Sequence, residues 1–547
     1  MPVSKVLIIG LDGGTFSLIR PWAEQGYLPN LKRLLDEGVS RDLHSTYPPV
    51  TSPAWPTFMT GMNPGKHGVF DFIRMHGTSF DTVNSTFIRQ PTLWQRLDAA
   101  GLRVGVMNVP VTYPPQPLKN GWMITGMLSP RAAKVCTPDD LIQRYEKEIG
   151  PYRISPNVQY THGREDEFID DLMDLVETRG RWTEHLMKHE PWDVMMTVYS
   201  STDIGSHALW RFNDPTHPQH PADAPERHKT ALRDLYAKVD EQVGKMLALV
   251  PDDTAVLVMS DHGFGPLHYS VNLNLMLMKT GLMKLKRTPL TRLKSWLFWR
   301  GITPKSVYHV LEKLGINNIA MRVSKKSRNA VVGKFLSYED VDWKNTKAFS
   351  MGHVGQIYIN AEGRHPEGSV QPGMEEVEVR EQVIQALYDL RHPETGQPIV
   401  SRIIRKEEEF NGPFAVNGPD IQVVLDDYRM ISFPLFGAAA ELFTGQIRGD
   451  SGSHRSEGVF IASGPGIRKH AVDPEAHITD VAPTVLYLLG MPIPEEIDGK
   501  ALTDIMENPY EVAFAEADEH SLTAERGLSA AQMAEIEERL RSLGYLE

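Results

Sequence analysis

The chain has 547 residues, a formal charge of −13 at neutral pH, and 41% hydrophobic against 23% charged residues. This length predicts a large core with an inserted or appended subdomain, and the composition is that of a soluble globular protein. The negative charge argues against nucleic acid as the main partner, because phosphate backbones select basic surfaces. The single cysteine, Cys136, excludes internal disulfides. With no apolar leader before the first short strand, we expect a cytoplasmic protein.

Short apolar runs typical of buried strands alternate with helical patterns along the chain. The predicted strands are 5–12, 103–109, 192–199, 254–261, 356–360, 420–426 and 458–463. The predicted helices are 29–38, 92–101, 166–189, 222–249, 377–391, 479–490 and a terminal one at 529–546. The alternation predicts an α/β fold whose mostly parallel central sheet has helices on both faces. Ligands bind outside the carboxyl ends of the strands in such sheets.

A basic segment interrupts this pattern. From Leu282 to Lys334 it holds 13 Lys and Arg against one acid, Glu312, in an otherwise acidic chain. We interpret 282–340 as an inserted, largely helical cap with three functions open to it: a solvated surface, attraction of an anionic substrate, or contact with a membrane surface or partner. The predicted domains are therefore the first part of the core at 1–281, the cap at 282–340, the second part of the core at 341–510, and a tail with a docking helix at 511–547.

Acidic residues and histidines recur at the ends of the predicted strands. They are Asp12, the pair Asp203 and His207, the pair Asp261 and His262, and His454 just before the last strand. Each alone has an ordinary structural explanation, a helix cap for an aspartate or a packed ring for a histidine. Together they predict a cation site, because mixed carboxylate and imidazole ligands suit Zn²⁺ or Mn²⁺. Six such ligands are too many for one tetrahedral ion and suit two ions.

Two adjacent hydroxyl side chains occur in the segment "YPPVTSPAWPTFMTG", residues 47–61. Pro53 suits the first position of a helix, which places Ser52 at the N-cap and Thr51 just outside the positive end of the helix. A hydroxyl at that place can lose its proton to a nearby metal, and an incoming phosphate meets free backbone N–H groups. Thr51 is therefore the predicted nucleophile, with Ser52 the next candidate.

Several segments, in this order, resemble the alkaline phosphatase superfamily and, within it, the type I phosphodiesterase / nucleotide pyrophosphatase family. They are "LIIGLDGGT", "PNLKRLLDEGV", "YPPVTSPAWPTFMTGMNPGKHGVFDF", "STDIGSHALWRF", "VMSDHGFG", "GSHRSEGVFIASGPGI" and "TDVAPTVLYLLGMPIPEEIDGKAL", between residues 7 and 502. The resemblance implies an alkaline-phosphatase-like fold, a three-layer sandwich. It also implies an enzyme that hydrolyses small phosphate esters, with phosphodiesters or nucleotide pyrophosphates as the favoured substrates, through a phosphothreonine intermediate at Thr51. The alternatives are a phosphomonoesterase, a phosphomutase like the cofactor-independent phosphoglycerate mutases, and a non-catalytic anion-binding scaffold.

The resemblance also implies two bound divalent metal ions. It assigns one ion to Asp203, His207 and His454, and the other to Asp12, Asp261, His262 and the Thr51 oxygen. Members of the family usually use zinc, and cytoplasmic relatives in the superfamily use manganese, so we expect Zn²⁺ first and Mn²⁺ second.

One position departs from the family pattern. Nucleotide pyrophosphatases carry an asparagine five residues after the His of the "HG" turn, where its amide binds a phosphoryl oxygen, and that position here is Phe72. Either another donor replaces this asparagine, with Lys66, Arg74 and Asn84 as the candidates, or this branch of the family acts on a different group. Sulfate esters are not expected as the main substrate, because "VCTPDDL" around Cys136 lacks the Cys-x-Pro-x-Arg setting of sulfatases.

Three further side chains lie near these motifs, and for each we favour packing over a role in the site. They are His353, before the strand at 356–360, and Trp210 and Phe212, which follow His207.

Overall fold

The computed structural model describes residues 2–76, 79–130, 134–304, 306, 335–352, 354–432, 437, 439–445, 449–469, 471–472, 475–517 and 528–542. His353 and residues 305 and 307–334 of the predicted cap therefore lie outside the described residues.

The strands of the described chain are β1 Lys5–Leu11, β2 Val39–His44, β3 Ile73–His76, β4 Ser79–Thr82, β5 Val104–Met107, β6 Trp122–Ile124, β7 Cys136–Thr137, β8 Val194–Tyr199, β9 Thr254–Met259, β10 Gly263–Pro266, β11 Tyr269–Val271, β12 Ala348–Ser350, β13 Gln356–Ile359, β14 Val400–Arg405, β15 Ile421–Leu425, β16 Met430–Ser432, β17 Phe443–Thr444, β18 Gly452–Arg455, β19 Glu457–Ser463, β20 Ala471–Val472, β21 Ala476–His477, β22 Ile493–Pro494 and β23 Phe514–Ala515.

Its α-helices are α1 Phe16–Glu24, α2 Pro29–Glu37, α3 Thr51–Thr60, α4 Pro64–His67, α5 Leu93–Ala99, α6 Leu141–Ile149, α7 Glu165–His189, α8 Ser201–Asn213, α9 Glu226–Leu247, α10 Leu273–Lys279, α11 Pro289–Trp299, α12 Met374–Tyr388, α13 Lys406–Glu409, α14 Val481–Leu488 and α15 Ala530–Ser542. The predicted helices are confirmed to within a few residues at each end, except that residues 543–546 of the predicted terminal helix lie outside the described residues. Within the described residues, no helix combines the length and apolar content needed to cross a bilayer.

A large central sheet organises the molecule, with strand order β20-β2-β19-β9-β1-β8-β5-β6-β7 and β21 beside β2. At its centre, β1 pairs in parallel with both β8 and β9, and β5 pairs in parallel with β8. Successive side chains of β1 enter different cores, Ile8 on one face and Leu7 and Ile9 on the other. Because both faces are covered, the inner strands are buried and almost wholly apolar. This architecture confirms the predicted α/β fold class.

Two predicted strands do not belong to that sheet. The runs 356–360 and 420–426 form β13 and β15 of a second, mostly antiparallel sheet, ordered β12-β13-β15-β16-β11-β17 with β14 beside β15. Their assignment to the parallel sheet was wrong, because a short apolar run indicates a buried strand without indicating which strand it pairs with. The second sheet has its own apolar core.

The C-terminal helix α15 packs against the main body. Ile536 and Leu540 are buried in the core beneath the central sheet, and Gln532 Nε2 donates a hydrogen bond to the Tyr113 hydroxyl at 3.0 Å. The division of the chain into a core, a cap and a tail stays a prediction.

Candidate active site

The predicted carboxylates and imidazoles lie together at the carboxyl ends of the central strands. Asp12 directly follows β1, Asp203 and His207 lie on the helix after β8, and Asp261 and His262 follow β9 after one residue. Since these strands are parallel neighbours, their ends meet at one edge. His454 joins them from β18, which pairs antiparallel with β10 and places His454 opposite Phe264.

One group consists of Asp203, His207 and His454, whose ligand atoms lie within 4.8 Å of one another. Asp203 Oδ1 is 3.5 Å from His207 Nε2 and 3.3 Å from His454 Nε2. On the far side of each ring, Nδ1 faces a carbonyl oxygen, that of Gly452 at 3.0 Å for His207 and that of Pro49 at 2.8 Å for His454. Because a carbonyl only accepts, each Nδ1 carries the proton, which leaves the Nε2 lone pair directed at the site.

A second group consists of Asp12, Asp203 and His262, again within 4.8 Å. His262 Nε2 is 3.9 Å from Asp12 Oδ1 and 4.0 Å from Asp203 Oδ1. It lies closer still to Asp261 Oδ2, at 3.3 Å, while its Nδ1 is 3.1 Å from the carbonyl oxygen of Gly263. Asp203 therefore lies within reach of both groups, whereas the resemblance assigned it to one.

Thr51 is the first residue of α3, and its Oγ1 lies 3.2 Å from His262 Nε2. The N-cap is Val50, so the prediction that Ser52 caps this helix is wrong. Pro53 occupies the third helical position, where its missing N–H still costs nothing, because the first N–H groups of a helix have no intrahelical acceptor. The Ser52 hydroxyl is buried with no hydrogen-bond partner among the described residues.

The carboxylates of the site carry negative charge that the described protein groups around them do not neutralise. Within the described chain, both carboxylate oxygens of Asp12 and Oδ2 of Asp261 are buried with no hydrogen-bond partner. Burial, and then the neighbouring carboxylates Asp261 and Asp203, raise the pKa of Asp12 well above its usual range. Burial and the charge of Asp203 raise the pKa of Asp261 to about 7. Such groups are costly unless a cation neutralises them, so these residues fit divalent metal ions.

Burial favours the neutral form of two of the imidazoles, those of His262 and His454. Burial, reinforced by the nearby His454 ring, lowers the pKa of His262 well below its ordinary value, and burial also lowers the pKa of His454. The two rings stack with their centroids 3.7 Å apart. Burial alone would lower the pKa of His207 too, but the Asp203 carboxylate raises it overall.

The tight turn after β1 requires glycine at position 13. Gly13 has φ +64°, and a Cβ there would lie 2.9 Å from the Phe264 ring and 3.3 Å from the Asp203 Cα. Its N–H donates to Asp261 Oδ1 at 3.2 Å. The turn therefore holds Asp12 and Asp261 side by side.

A pocket of about 290 Å³ opens beside His207, one of the candidate metal ligands. Its lining comprises residues 155–160 together with Phe168, Ile204, His207, Ala208, Asp450, Glu535 and Glu538. Sequence reasoning predicted His207 and missed the other lining residues, because 155–160 form a loop without a recognisable motif and the two glutamates lie on α15, far along the chain. Asp450 alone had a signal, since it stands in the "GDSGSH" segment that carries His454.

The secondary candidates have structural partners. Lys66 pairs with Asp498, Arg74 lies over an aromatic ring, and Asn84 accepts a backbone hydrogen bond that caps a short 3₁₀ helix. Phe72 is fully buried in the main core. A contact of any of the four with substrate stays a prediction.

The two aromatic residues after His207 are packed, as favoured from the sequence. Trp210 and Phe212 are buried, and the Trp210 ring stacks on Phe264 at a centroid distance of 5.9 Å. Phe264 in turn contacts His207 edge-on, so the rings of Trp210 and Phe264 pack against the imidazole of His207 and hold it in place.

The model of the type I phosphodiesterase / nucleotide pyrophosphatase family matches residues 6–420 of the chain. The chain belongs to this family. Membership makes the protein a hydrolase that acts on phosphate esters, and it confirms the resemblance seen in the motifs. The family is of the metallohydrolase type, and the Asp/His groups of this chain could bind metal ions.

Two solved structures with TM-scores above 0.5 share the fold, and a third is similar at a lower score. Phosphonoacetate hydrolase from Sinorhizobium meliloti 1021, in complex with phosphonoacetate, is 14% identical with a TM-score of 0.54, covering 89% of this chain and 96% of that one. The same enzyme with phosphonoformate is 16% identical with a TM-score of 0.52 over the same shares. Murine ectonucleotide pyrophosphatase / phosphodiesterase 5 is 13% identical with a TM-score of 0.49, over 92% of this chain and 100% of that one. No curated protein matches the chain.

Proposed function

We propose that the protein is a two-metal phosphohydrolase that cleaves small phosphate esters, phosphodiesters first, through a covalent phosphothreonine at Thr51. The observation that carries this proposal is the position of Thr51 Oγ1, at a helix N-terminus and 3.2 Å from His262, beside two Asp/His groups that both include Asp203.

Two sets of residues would hold the ions, in keeping with the orphaned carboxylate oxygens of Asp12 and Asp261. One set is Asp203, His207 and His454, and the other is Asp12, Asp261, His262 and the Thr51 oxygen. When bound, such cations lower the pKa of the threonine hydroxyl and neutralise negative charge on the phosphate oxygens. Zn²⁺ is the ion we propose first, with Mn²⁺ second.

Thr51 performs the covalent steps. Its Oγ1 attacks phosphorus, the bond from phosphorus to the leaving oxygen breaks, and the leaving group departs as an alcohol with one proton. Water then adds to the phosphothreonine, the bond from phosphorus to Oγ1 breaks, and Thr51 regains its hydroxyl while the phosphate monoester is released. One water is consumed in each turnover.

The start of α3 assists the same steps. The backbone N–H groups of Thr51 and Ser52 lie in the first turn, where no intrahelical carbonyl accepts from them. They are therefore available to a phosphoryl oxygen as its negative charge grows, and the positive end of the helix dipole favours that charge.

The pocket beside His207 supports a substrate with a sizeable leaving group. A volume of about 290 Å³ exceeds what a phosphate group alone needs, which leaves room for an organic leaving group. Three carboxylates in its lining, Asp450, Glu535 and Glu538, favour a neutral or cationic leaving group over one that carries further phosphates.

The proposal is tested with chelator-treated protein supplied with Zn²⁺ or Mn²⁺. The substrates are bis(4-nitrophenyl) phosphate, 4-nitrophenyl phosphate, phosphonoacetate and a sugar phosphate, with product identity followed by phosphorus NMR. We expect metal-dependent release of 4-nitrophenol, faster from the diester. Isomerisation of the sugar phosphate without ester hydrolysis would instead identify a mutase, and turnover of none of the esters with either metal would contradict the proposal.

A further inference from the structure

Helix α11 at the start of the basic segment is firmly attached to the body through one face. Thr291, Lys294 and Phe298 on this face are buried. Thr291 Oγ1 donates to one oxygen of the Asp340 carboxylate at 2.9 Å, and Lys294 Nζ donates to the other at 3.0 Å. Phe298 packs into the core of the second sheet. The opposite face of α11 is therefore fixed toward solvent.

That outward face is apolar and aromatic. Its large side chains recur about every three residues. They are Leu290, Leu293, Trp296 and Trp299 on the helix and Ile302 just after it, and their exposed fractions are 62%, 54%, 54%, 49% and 43% in that order. Of the 11 exposed large hydrophobic side chains in the described part of the chain, these five fall within one stretch of 13 residues. At about 100° per residue, Leu293 and Trp296 lie opposite the buried face, while Leu290 and Trp299 lie on its two flanks. The exposed side chains therefore form a patch over about half of the helix circumference, whereas singly scattered apolar residues are ordinary.

The patch is surrounded by positive charge. Residues 282–304 contain six Lys and Arg and no Asp or Glu, in a chain whose net charge is −13. The exposed members are Lys284, Lys286, Arg287, Arg292 and Arg300. The Arg300 guanidinium lies 5.1 Å from the centre of the Trp296 ring, so charge and aromatic surface occupy the same face.

We propose that this face of α11 binds the surface of an anionic phospholipid membrane. A helix lying in the plane of the interface inserts leucines and tryptophans at the level of the headgroups, while its arginines and lysines meet the lipid phosphates. A symmetric contact between this face and the same face of a second copy is disfavoured, because it would bring the same positive charges against one another. The active site and the reaction are not involved in this binding.

Co-sedimentation with vesicles tests the proposal. Vesicles of phosphatidylcholine alone are compared with vesicles that also contain phosphatidylglycerol, at low and at high salt. We expect the protein to sediment with the anionic vesicles, to remain in solution with the neutral ones, and to be released by salt. Sedimentation that is equal with both kinds of vesicle, or absent with the anionic kind, would overturn the proposal.

Paired variants locate the binding face. One replaces Trp296 and Trp299 by alanine, a second is Arg292→Glu with Arg300→Glu, and the matched control replaces the exposed aromatics Tyr388 and Phe514 by alanine. Because all these side chains are exposed, circular dichroism should show an unchanged fold. We expect the first two variants to bind anionic vesicles roughly tenfold more weakly or worse, and the control to bind normally. Normal binding by both test variants would overturn the proposal, as would capture by immobilised polyglutamate without binding to vesicles, which would indicate an acidic protein partner.

Discussion

Thr51 Oγ1 lies 3.2 Å from His262 Nε2, although 211 positions separate the two residues in the chain. The His262 ring stacks on His454, and His454 Nε2 is 3.3 Å from Asp203 Oδ1. The Thr51 hydroxyl is therefore adjacent to a cluster in which the Asp203 carboxylate belongs to both groups of candidate metal ligands. Both the reactivity of Thr51 and the metal content of the site should therefore depend on Asp203.

Asp203→Asn should reduce both metal content and turnover. Because Asp203 lies within reach of both groups, losing its charge weakens both ion sites at once. Changes to groups that merely orient a ligand already cost roughly 10- to 100-fold, so we expect turnover to fall about a hundredfold or more. Metal per chain by plasma mass spectrometry, together with aryl phosphodiester turnover, measures the effect. The exposed Asp223→Asn is the control, and an Asp203 variant that kept full metal and activity would remove Asp203 from the site.

Ser52→Ala should leave turnover unchanged. The Ser52 hydroxyl is buried without a hydrogen-bond partner among the described residues, so its removal also relieves a buried polar group. We expect the free energy of unfolding, measured by urea denaturation, to stay the same or to rise by up to about 1 kcal/mol. A large loss of turnover with normal stability would instead identify Ser52, and not Thr51, as the nucleophile.

Asp71→Asn should stabilise the protein increasingly as the pH rises. Burial raises the pKa of Asp71 from 3.8 to about 6, even though its oxygens accept hydrogen bonds from the Phe72 N–H and from Gln356 Nε2. The folded state therefore binds more protons than the unfolded state between these values, and wild-type stability falls over this window as the pH rises. A neutral asparagine avoids this loss of about 3 kcal/mol.

Urea denaturation of the wild type and the Asp71 variant from about pH 4 to about pH 8 measures this difference. The advantage of the variant should grow between about pH 4 and pH 6 and then level off. An advantage that does not change with pH would show that Asp71 titrates normally in the folded protein.

Replacing Glu535 and Glu538 together by glutamine should shift the substrate preference. Both glutamates line the pocket beside His207, where negative charge opposes a polyanionic leaving group. We expect kcat/KM for a nucleoside triphosphate to rise about three- to tenfold, while kcat/KM for bis(4-nitrophenyl) phosphate changes little. Equal changes for the two substrates would mean that the carboxylates do not face the leaving group.

The position of the site could be read from the sequence because one topological rule governs it. Asp12, Asp203 and Asp261 follow apolar strands, and the carboxyl ends of parallel neighbours meet at one edge. The proximity of Thr51 to these residues follows a similar rule, because the N-terminus of a helix that faces the site brings its hydroxyl close to them. Its role as the nucleophile stays a prediction.

What the sequence did not reveal depends on contacts between distant segments. The pairing of β13 with β15 in a second sheet is set by tertiary packing, which a short apolar run does not encode. The pocket combines the loop 155–160 with α15, and no local pattern indicates their proximity. The helix begins at Thr51 instead of after Ser52, because proline is tolerated throughout the first turn and does not fix the first residue.

The central claim is that Thr51 is the nucleophile beside a pair of cations, and Thr51→Ala tests it most directly. Turnover of bis(4-nitrophenyl) phosphate and metal per chain are measured on the same preparation of the variant and of the wild type. We predict that turnover falls by about a thousandfold or more, while metal content stays near two ions per chain, because six carboxylate and imidazole ligands remain. Wild-type turnover by the Thr51→Ala protein would contradict the assignment.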